Sequence, residues 1–263
     1  MALNRTIVRL LVQMRKAGLF DLGTARVIDL GEQNLYGNVA AGDLVETARL
    51  LKLDERRVAE VEAEVRAVTA TPTPTPTLAF DLARVLYRVL FDCTTYRAID
   101  LNGTEAAWRY DLNRPLPVSE TFDVVTNFGT SEHVFDQAQL FRSIHALARP
   151  GGFMLHAVPH QGGPDHGFYN YHPTFFHDLA AANAYRLVMM VLMSGDAERD
   201  RLDSIKERDS YASLLAKNEI SRDSGLFVAL MRSFEDRPFE LPMQGYYTGG
   251  LSEQGRAAWE DRR

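Results

Sequence analysis

The stretch ARVIDLGEQNLYG, residues 25–37, sets the fold class. Val27, Ile28 and Leu30 form a short apolar run that stops at Gly31, the pattern of a buried strand running into a turn. Working outward, similar runs recur. YRAIDL (96–101), AAWRYDL (106–112), FDVVTNFG (122–129), FMLHAVP (153–159), YRLVMMVLM (185–193) and LFVALMRSF (226–234) are predicted strands. Between them lie segments of helical period. Residues 2–17 carry Ile7, Leu10, Leu11 and Met14 on one face, and 43–68, 78–91, 136–148 and 172–184 follow the same rule. Strands alternating with helices predict an α/β protein whose parallel sheet is covered on both faces.

Two segments interrupt this alternation. Charged helices and the Thr-Pro stretch TATPTPTPT (69–77) fill residues 40–92, and the Thr-Pro repeat reads as a stiff extended spacer. The polar run GDAERDRLDSIKERD (195–209), within a charged insertion at 195–225, reads as a solvated helix face. The expected organisation is one domain over 1–263, with an N-terminal helical segment at 1–23.

Composition narrows the function classes. Apolar residues make up 46% and the net charge is −6. An acidic balance disfavours broad contact with nucleic acid or an anionic membrane surface. The N-terminus reads as a helix and not a signal peptide, and no apolar run is long enough to span a bilayer. Cys93 is the single cysteine, which suits a reducing cytoplasm and reads as a core residue.

In an open parallel sheet, ligands bind beyond the C-terminal ends of the strands. The predicted ends offer Asp29-Leu30-Gly31-Glu32, Asp100-Leu101, Asp111-Leu112, Asn127-Phe128-Gly129-Thr130 and Pro159-His160. An acid at the second end can accept both hydroxyls of a ribose, one at the third can meet an adenine amino group, and Gly31 permits close backbone approach. Together they describe a nucleoside pocket. The turn GEQNLYG lacks the paired glycines of a dinucleotide site, and Glu32 would repel a phosphate.

With these motifs in order, the chain resembles the class I S-adenosylmethionine-dependent methyltransferases over roughly 24–195 and the final strand. VIDLGEQNLYG is similar to the family's glycine motif, YRAIDLNG to its ribose motif, YDLNRPLP to its adenine motif, FDVVTNFGTSEHVFD to its fourth motif and LARPGGFMLHAVP to its late motif. The resemblance implies a Rossmann-like doubly wound, mostly parallel sheet of about seven strands, the last antiparallel. It also implies S-adenosyl-L-methionine as cofactor. The implied cofactor residues are Asp29, Gly31, Glu32, Gln33, Asp100, Leu101, Asp111, Leu112, Asn127 and Phe128. The chain departs from the family where Gln33 replaces the second glycine and Leu35 stands near the third, which is expected to narrow the methionine end. The gap from Gly31 to Asp100 also exceeds the roughly 20 residues usual in such a unit.

The stretch PHQGGPDHGFYNYHPTFF (159–176) gathers histidines and polar aromatics after the fifth predicted strand. His166 is the first candidate for a proton acceptor, followed by His160 and His133. Glu132, Tyr169, Asn170 and His172 are candidate acceptor contacts. The spacing of His160, Asp165, His166 and His172 fits no fixed metal pattern, so no metal is expected. His145 and His156 read as structural and His177 as solvated. The expected acceptor is a small molecule, with oxygen favoured as the nucleophile on a sugar or natural product. Self-association is left open. The alternative reading is a catalytically inactive methyltransferase-like binding or assembly protein.

Overall fold

The computed structural model describes residues 3–20, 22–70, 77–195 and 200–260. Helix α1 (Arg5–Lys16) comes first, capped by the Asn4 side chain, which accepts from the Ile7 N–H. Strand β1 (Ala25–Leu30) is almost wholly buried. Three helices follow: α2 (Ala41–Leu50), α3 (Glu55–Thr69) and α4 (Leu78–Phe91). The remaining core elements are β2 (Cys93–Ile99), β3 (Phe122–Phe128), α5 (Gln137–Leu147), β4 (Ala148–Gln161), α6 (Pro173–Ala182) and β5 (Arg186–Gly195). Last come β6 (Asp200–Ser204), α7 (Arg208–Ala216), β7 (Ser224–Met231), α8 (Gly245–Thr248) and α9 (Glu253–Glu260).

The strands form one seven-stranded sheet in the order β2-β1-β3-β4-β7-β5-β6. β1 pairs parallel with β2 and β3, and β3 pairs parallel with β4. β7 inserts antiparallel between β4 and β5, and β6 lies antiparallel on the outer edge of β5. This is the expected doubly wound, mostly parallel sheet with its last strand reversed. Two apolar clusters cover its two faces. One joins α1 and α4 to one face through Phe20, Leu86, Phe91 and Phe153; the other joins α5 and α6 to the opposite face through Phe141, Ile144, Phe176 and Leu179.

Two sequence expectations fail, each for a physical reason. Residues 106–112 do not form a strand. They make a single bridge, in which the Trp108 N–H donates to Ala98 O (2.9 Å) and the Asp100 N–H to Trp108 O (3.0 Å). Within 195–209, residues 196–199 lie outside the described residues, 200–204 form edge strand β6 where a helix face was expected, and α7 begins at Arg208; Arg201 pairs with Asp203 and Glu219. β6 is only five residues long and three of them are charged, as is common on a sheet edge, so hydrophobic period carries no signal there. Residues 71–76 of the Thr-Pro stretch lie outside the described residues.

The long segment between β1 and β2 divides in two. α4 serves as the crossover, burying Val85, Leu86, Tyr87, Val89, Leu90 and Phe91. α2 and α3 stack outside it. Cys93 is buried, and burial pushes its thiol up to about 12. No helix among the described residues is long and apolar enough to cross a membrane.

Candidate active site

β1 ends in the turn that begins at Gly31. Its φ of +73° lies in the left-handed region, which glycine enters without steric cost. The Gly31 N–H donates to Ile99 O (2.8 Å), which ties the ends of β1 and β2 together. Thr130, at the end of β3, packs against the same glycine and donates its hydroxyl to Leu30 O (2.6 Å).

Asp29, just inside the strand end, is fully buried and does not line the cavity described below. Its carboxylate accepts from the Tyr87 hydroxyl (2.9 Å), the Tyr96 hydroxyl (2.6 Å), the Thr126 hydroxyl and the Gln33 N–H (3.2 Å). Burial pushes this carboxyl from 3.8 up to about 6, against those hydrogen bonds, which favour the ionised form. The same burial and the adjacent carboxylate push the Tyr87 and Tyr96 hydroxyls up. Asp29 therefore fixes the turn from below.

Gln33 and Glu32 also turn inward. The Gln33 amide donates to Gly31 O (2.9 Å) and Phe128 O (3.2 Å), so this side chain braces the turn in place of the family's second glycine. The Glu32 side chain has no exposure. It pairs with Arg84 of α4 and accepts from the Thr104 N–H (2.6 Å) and hydroxyl (3.0 Å). The acidic rim expected at Glu32 is thus a buried ion pair that clamps α4 to the β2 exit loop.

What reaches the surface is a cavity of about 390 Å³ lined by Gly31, Asp100, Leu101, Asp111, Leu112 and His133, together with Gly129 and Thr130. The residues expected to clasp an adenosine therefore share one cavity. Asp100 accepts from the Glu32 N–H (2.9 Å) through Oδ2 and from the Asn102 N–H (2.7 Å) through Oδ1. A carboxylate has about four acceptor sites, so two stay open for hydroxyl donors. Asp111 is exposed at the mouth, and bonds from the Asn113 backbone and side-chain amides hold its carboxyl low. Asn127 and Phe128 are buried beneath the turn and do not line the cavity. Asn127 accepts from the Ser131 N–H (2.9 Å) and thereby shapes the 3-10 turn Ser131–His133.

The histidines separate clearly. His160 is buried and engaged at both nitrogens. Its Nδ1–H donates to Tyr171 O (2.8 Å), Nε2 accepts from the Tyr211 hydroxyl (2.9 Å), and burial lowers its basicity. It is a strut between β4 and α7, not an available base. His145 likewise bridges Tyr185 and Arg237 O, and burial pushes His156 down to about 3. His177 is half-buried where a solvated position was expected.

His166 and His133 remain accessible. Their rings are 5.0 Å apart and converge on Glu132, whose side chain is fully buried. His166 Nε2 lies 3.4 Å, and His133 Nε2 4.0 Å, from Glu132 Oε1. His166 lines a second cavity of about 340 Å³, shared with Pro159, Gln161, Met193, Ser194 and Asp223. The His133–His166 contact thus stands between the two cavities. The loops are clipped together: Glu132 O accepts from the Phe168 N–H (2.8 Å), and the Tyr169 hydroxyl donates to Phe135 O (2.9 Å). Gly167 allows this approach, since a Cβ there would lie 2.9 Å from Glu132 O. The exposed rings of Phe135 and Phe168 meet edge to face. Asn170 bonds to Gly162 O, and His172 is exposed beside His160.

Tyr110 and Asn113 line the same cavity and are not among the candidates read from sequence, and neither is Arg84. Thr130 belongs to the predicted strand end Asn127-Phe128-Gly129-Thr130, of which only Gly129 and Thr130 line the cavity. Arg84 sits 52 residues from Glu32, and the sequence offers no signal for their pairing.

Among known proteins, a family model described as a methyltransferase domain matches residues 54–217, more than half of the chain. The match begins after β1. No curated protein matches the sequence. Similar solved structures include the Burkholderia thailandensis 1,6-didemethyltoxoflavin-N1-methyltransferase with 1,6-didemethyltoxoflavin and S-adenosylhomocysteine bound; it is 15% identical, with 86% of this chain and 78% of that one covered and a TM-score of 0.43. The N-methyltransferase NodS from Bradyrhizobium japonicum is 13% identical, with 87% and 88% covered and a TM-score of 0.43. An O-methyltransferase from a trans-AT polyketide synthase multienzyme of Brevibacillus brevis is 12% identical, with 87% and 74% covered and a TM-score of 0.40. The chain belongs to the methyltransferase domain family, and its motif order places it among the class I S-adenosylmethionine-dependent methyltransferases.

Proposed function

We propose that this chain moves a methyl group from S-adenosylmethionine to a hydroxyl oxygen of a small acceptor, such as a sugar or natural product, held in the cavity beside His166. The observation that carries this reading is the meeting of Gly31, Asp100 and Asp111 in one cavity, with His133 at its border with a second. The first cavity, at about 390 Å³, falls within the range of about 300–1,000 Å³ common for small-ligand sites.

The residues present fit the cofactor. Asp100 keeps acceptor capacity for the two ribose hydroxyls, the Gly31 turn exposes backbone, and Leu101 and Leu112 offer apolar surface for a base. When bound, S-adenosylmethionine supplies an electrophilic methyl on a sulfonium. The chain's own work is alignment and proton removal. His166 Nε2–H donates toward Glu132 Oε1, which leaves the lone pair on Nδ1. When Nδ1 takes the hydroxyl proton, Nε2 stays paired with Glu132 Oε1, which holds the ring in place. The exposed Phe135 and Phe168 rings add apolar surface beside this step.

Calorimetric titration of S-adenosylhomocysteine into the full chain tests the cofactor assignment. One saturable site is expected, and Asp100→Ala should weaken it at least tenfold. A wild-type chain that binds none refutes the reading.

A further inference from the structure

We infer that Glu132, His133 and His166 form a binding site for one divalent transition-metal ion of the zinc class. Two imidazoles and one carboxylate come from two loops, 131–134 and 162–169, and their ligand atoms all lie within 4.8 Å of one another. In a tetrahedral zinc site with bonds of about 2.0–2.1 Å, ligand atoms stand about 3.3 Å apart. His166 Nε2 and Glu132 Oε1 already match at 3.4 Å, and His133 Nε2, at 4.0 Å, needs a shift of only about 0.7 Å to reach that separation. Imidazole nitrogen with one carboxylate oxygen suits zinc, cobalt or nickel more than magnesium or calcium, which prefer all-oxygen sites.

The scaffold holds these ligands in place. The Glu132 side chain is fully buried, while His133 and His166 keep 48% and 44% of their side-chain surface exposed, so an ion has an entry path. The Glu132 carbonyl is locked to the Phe168 and Tyr169 N–H groups, and Gly167 lets the loops close to this distance. Spacing points to no metal, since His160, Asp165, His166 and His172 match no fixed ligand pattern. The cluster instead pairs His166 with two residues of a different loop.

Metal binding and proton removal require opposite forms of His166. Ligation needs Nε2 unprotonated, whereas the pairing with Glu132 used for proton removal needs Nε2–H. A bound ion therefore switches off methyl transfer until it leaves. That consequence, unlike the site itself, rests on the function proposed above.

The test is titration of the full chain with Zn2+ and with Co2+. One Zn2+ should bind per chain, and Co2+ should give a visible d–d absorption band. His133→Ala, His166→Ala and Glu132→Gln should each weaken Zn2+ binding at least tenfold, while His172→Ala leaves it unchanged. Wild-type affinity in both histidine variants overturns the site, as does a chain that takes up neither ion. Titrating S-adenosylhomocysteine into the same samples separates the two ideas. A chain that binds Zn2+ without S-adenosylhomocysteine keeps the metal site and loses the methyltransferase reading. The reverse result loses only the site.

Discussion

Replacing Gly31 with alanine tests the turn on which the cofactor cavity is built. Two costs can be read from the structure. At φ +73°, a residue with a Cβ pays about 1–2 kcal/mol for the left-handed conformation. The new Cβ would also overlap Thr130 Oγ1 and lie 3.3 Å from Thr130 Cβ, so that side chain must rotate. Rotation breaks its hydrogen bond to Leu30 O, worth about 1 kcal/mol. The sum is about 2–3 kcal/mol, or about 4–12 °C in melting temperature at about 2–4 °C per kcal/mol for a domain near this size. Thermal and denaturant unfolding of Gly31→Ala, Thr130→Ala and the double variant measure it. Because Thr130→Ala removes the overlap, the double variant should be more stable than the sum of single costs by about 1 kcal/mol. Additivity within about 0.3–0.5 kcal/mol would refute the contact between Gly31 and Thr130 as the source of strain.

Other predictions follow from buried charge. Asp29 has a folded pKa of about 6 against 3.8 in its ordinary environment, so the folded state holds this proton more tightly. Its contribution to stability is fully present below pH 3.8 and is lost as pH rises through about 6, a change of about 3 kcal/mol at 1.36 kcal/mol per unit. Asp29→Asn should therefore gain on the wild type by about that amount between pH 4 and 7 in urea unfolding; a flat difference rules this out. Arg84→Met leaves the fully buried Glu32 carboxylate without its cation and should cost about 3 kcal/mol, the low end for a buried pair because Arg84 keeps 23% of its side-chain surface exposed. Adding Glu32→Gln should restore part of it, and a double variant no more stable than Arg84→Met contradicts the pairing. His160→Ala should lower the melting temperature yet leave S-adenosylhomocysteine affinity unchanged, since it braces α7 away from the cofactor cavity. Lost affinity would return His160 to the site.

Much of the fold is legible in the sequence because hydrophobic period is a local property. Helix α4 begins at Leu78 and ends at Phe91, and β3 covers Phe122–Phe128, where the apolar runs placed them. Hydrophobic period does not capture the bridge at Trp108 or strand β6, since a single bridge and a short charged edge strand bury too little to leave a pattern. The site divides the same way. Gly31, Asp100 and Asp111 stand at strand ends, and strand ends can be read. Glu32 looked like an acidic rim because its partner, Arg84, lies on a helix far along the chain. His160 looked as available as His166 until Tyr171 and Tyr211 were seen to hold it. Polarity is written in the sequence; the company a polar group keeps is a tertiary fact.

The crossover between β1 and β2 has a kinetic consequence. Gly31 and Asp100 flank it, and Leu30 pairs with Ile99 across this long separation in sequence. Closing so distant a pair is slow relative to forming neighbouring helices. The nucleoside-side half of the sheet is thus expected to join late in folding, and a ligand spanning that seam would act as a latch, stabilising the finished chain in proportion to its occupancy.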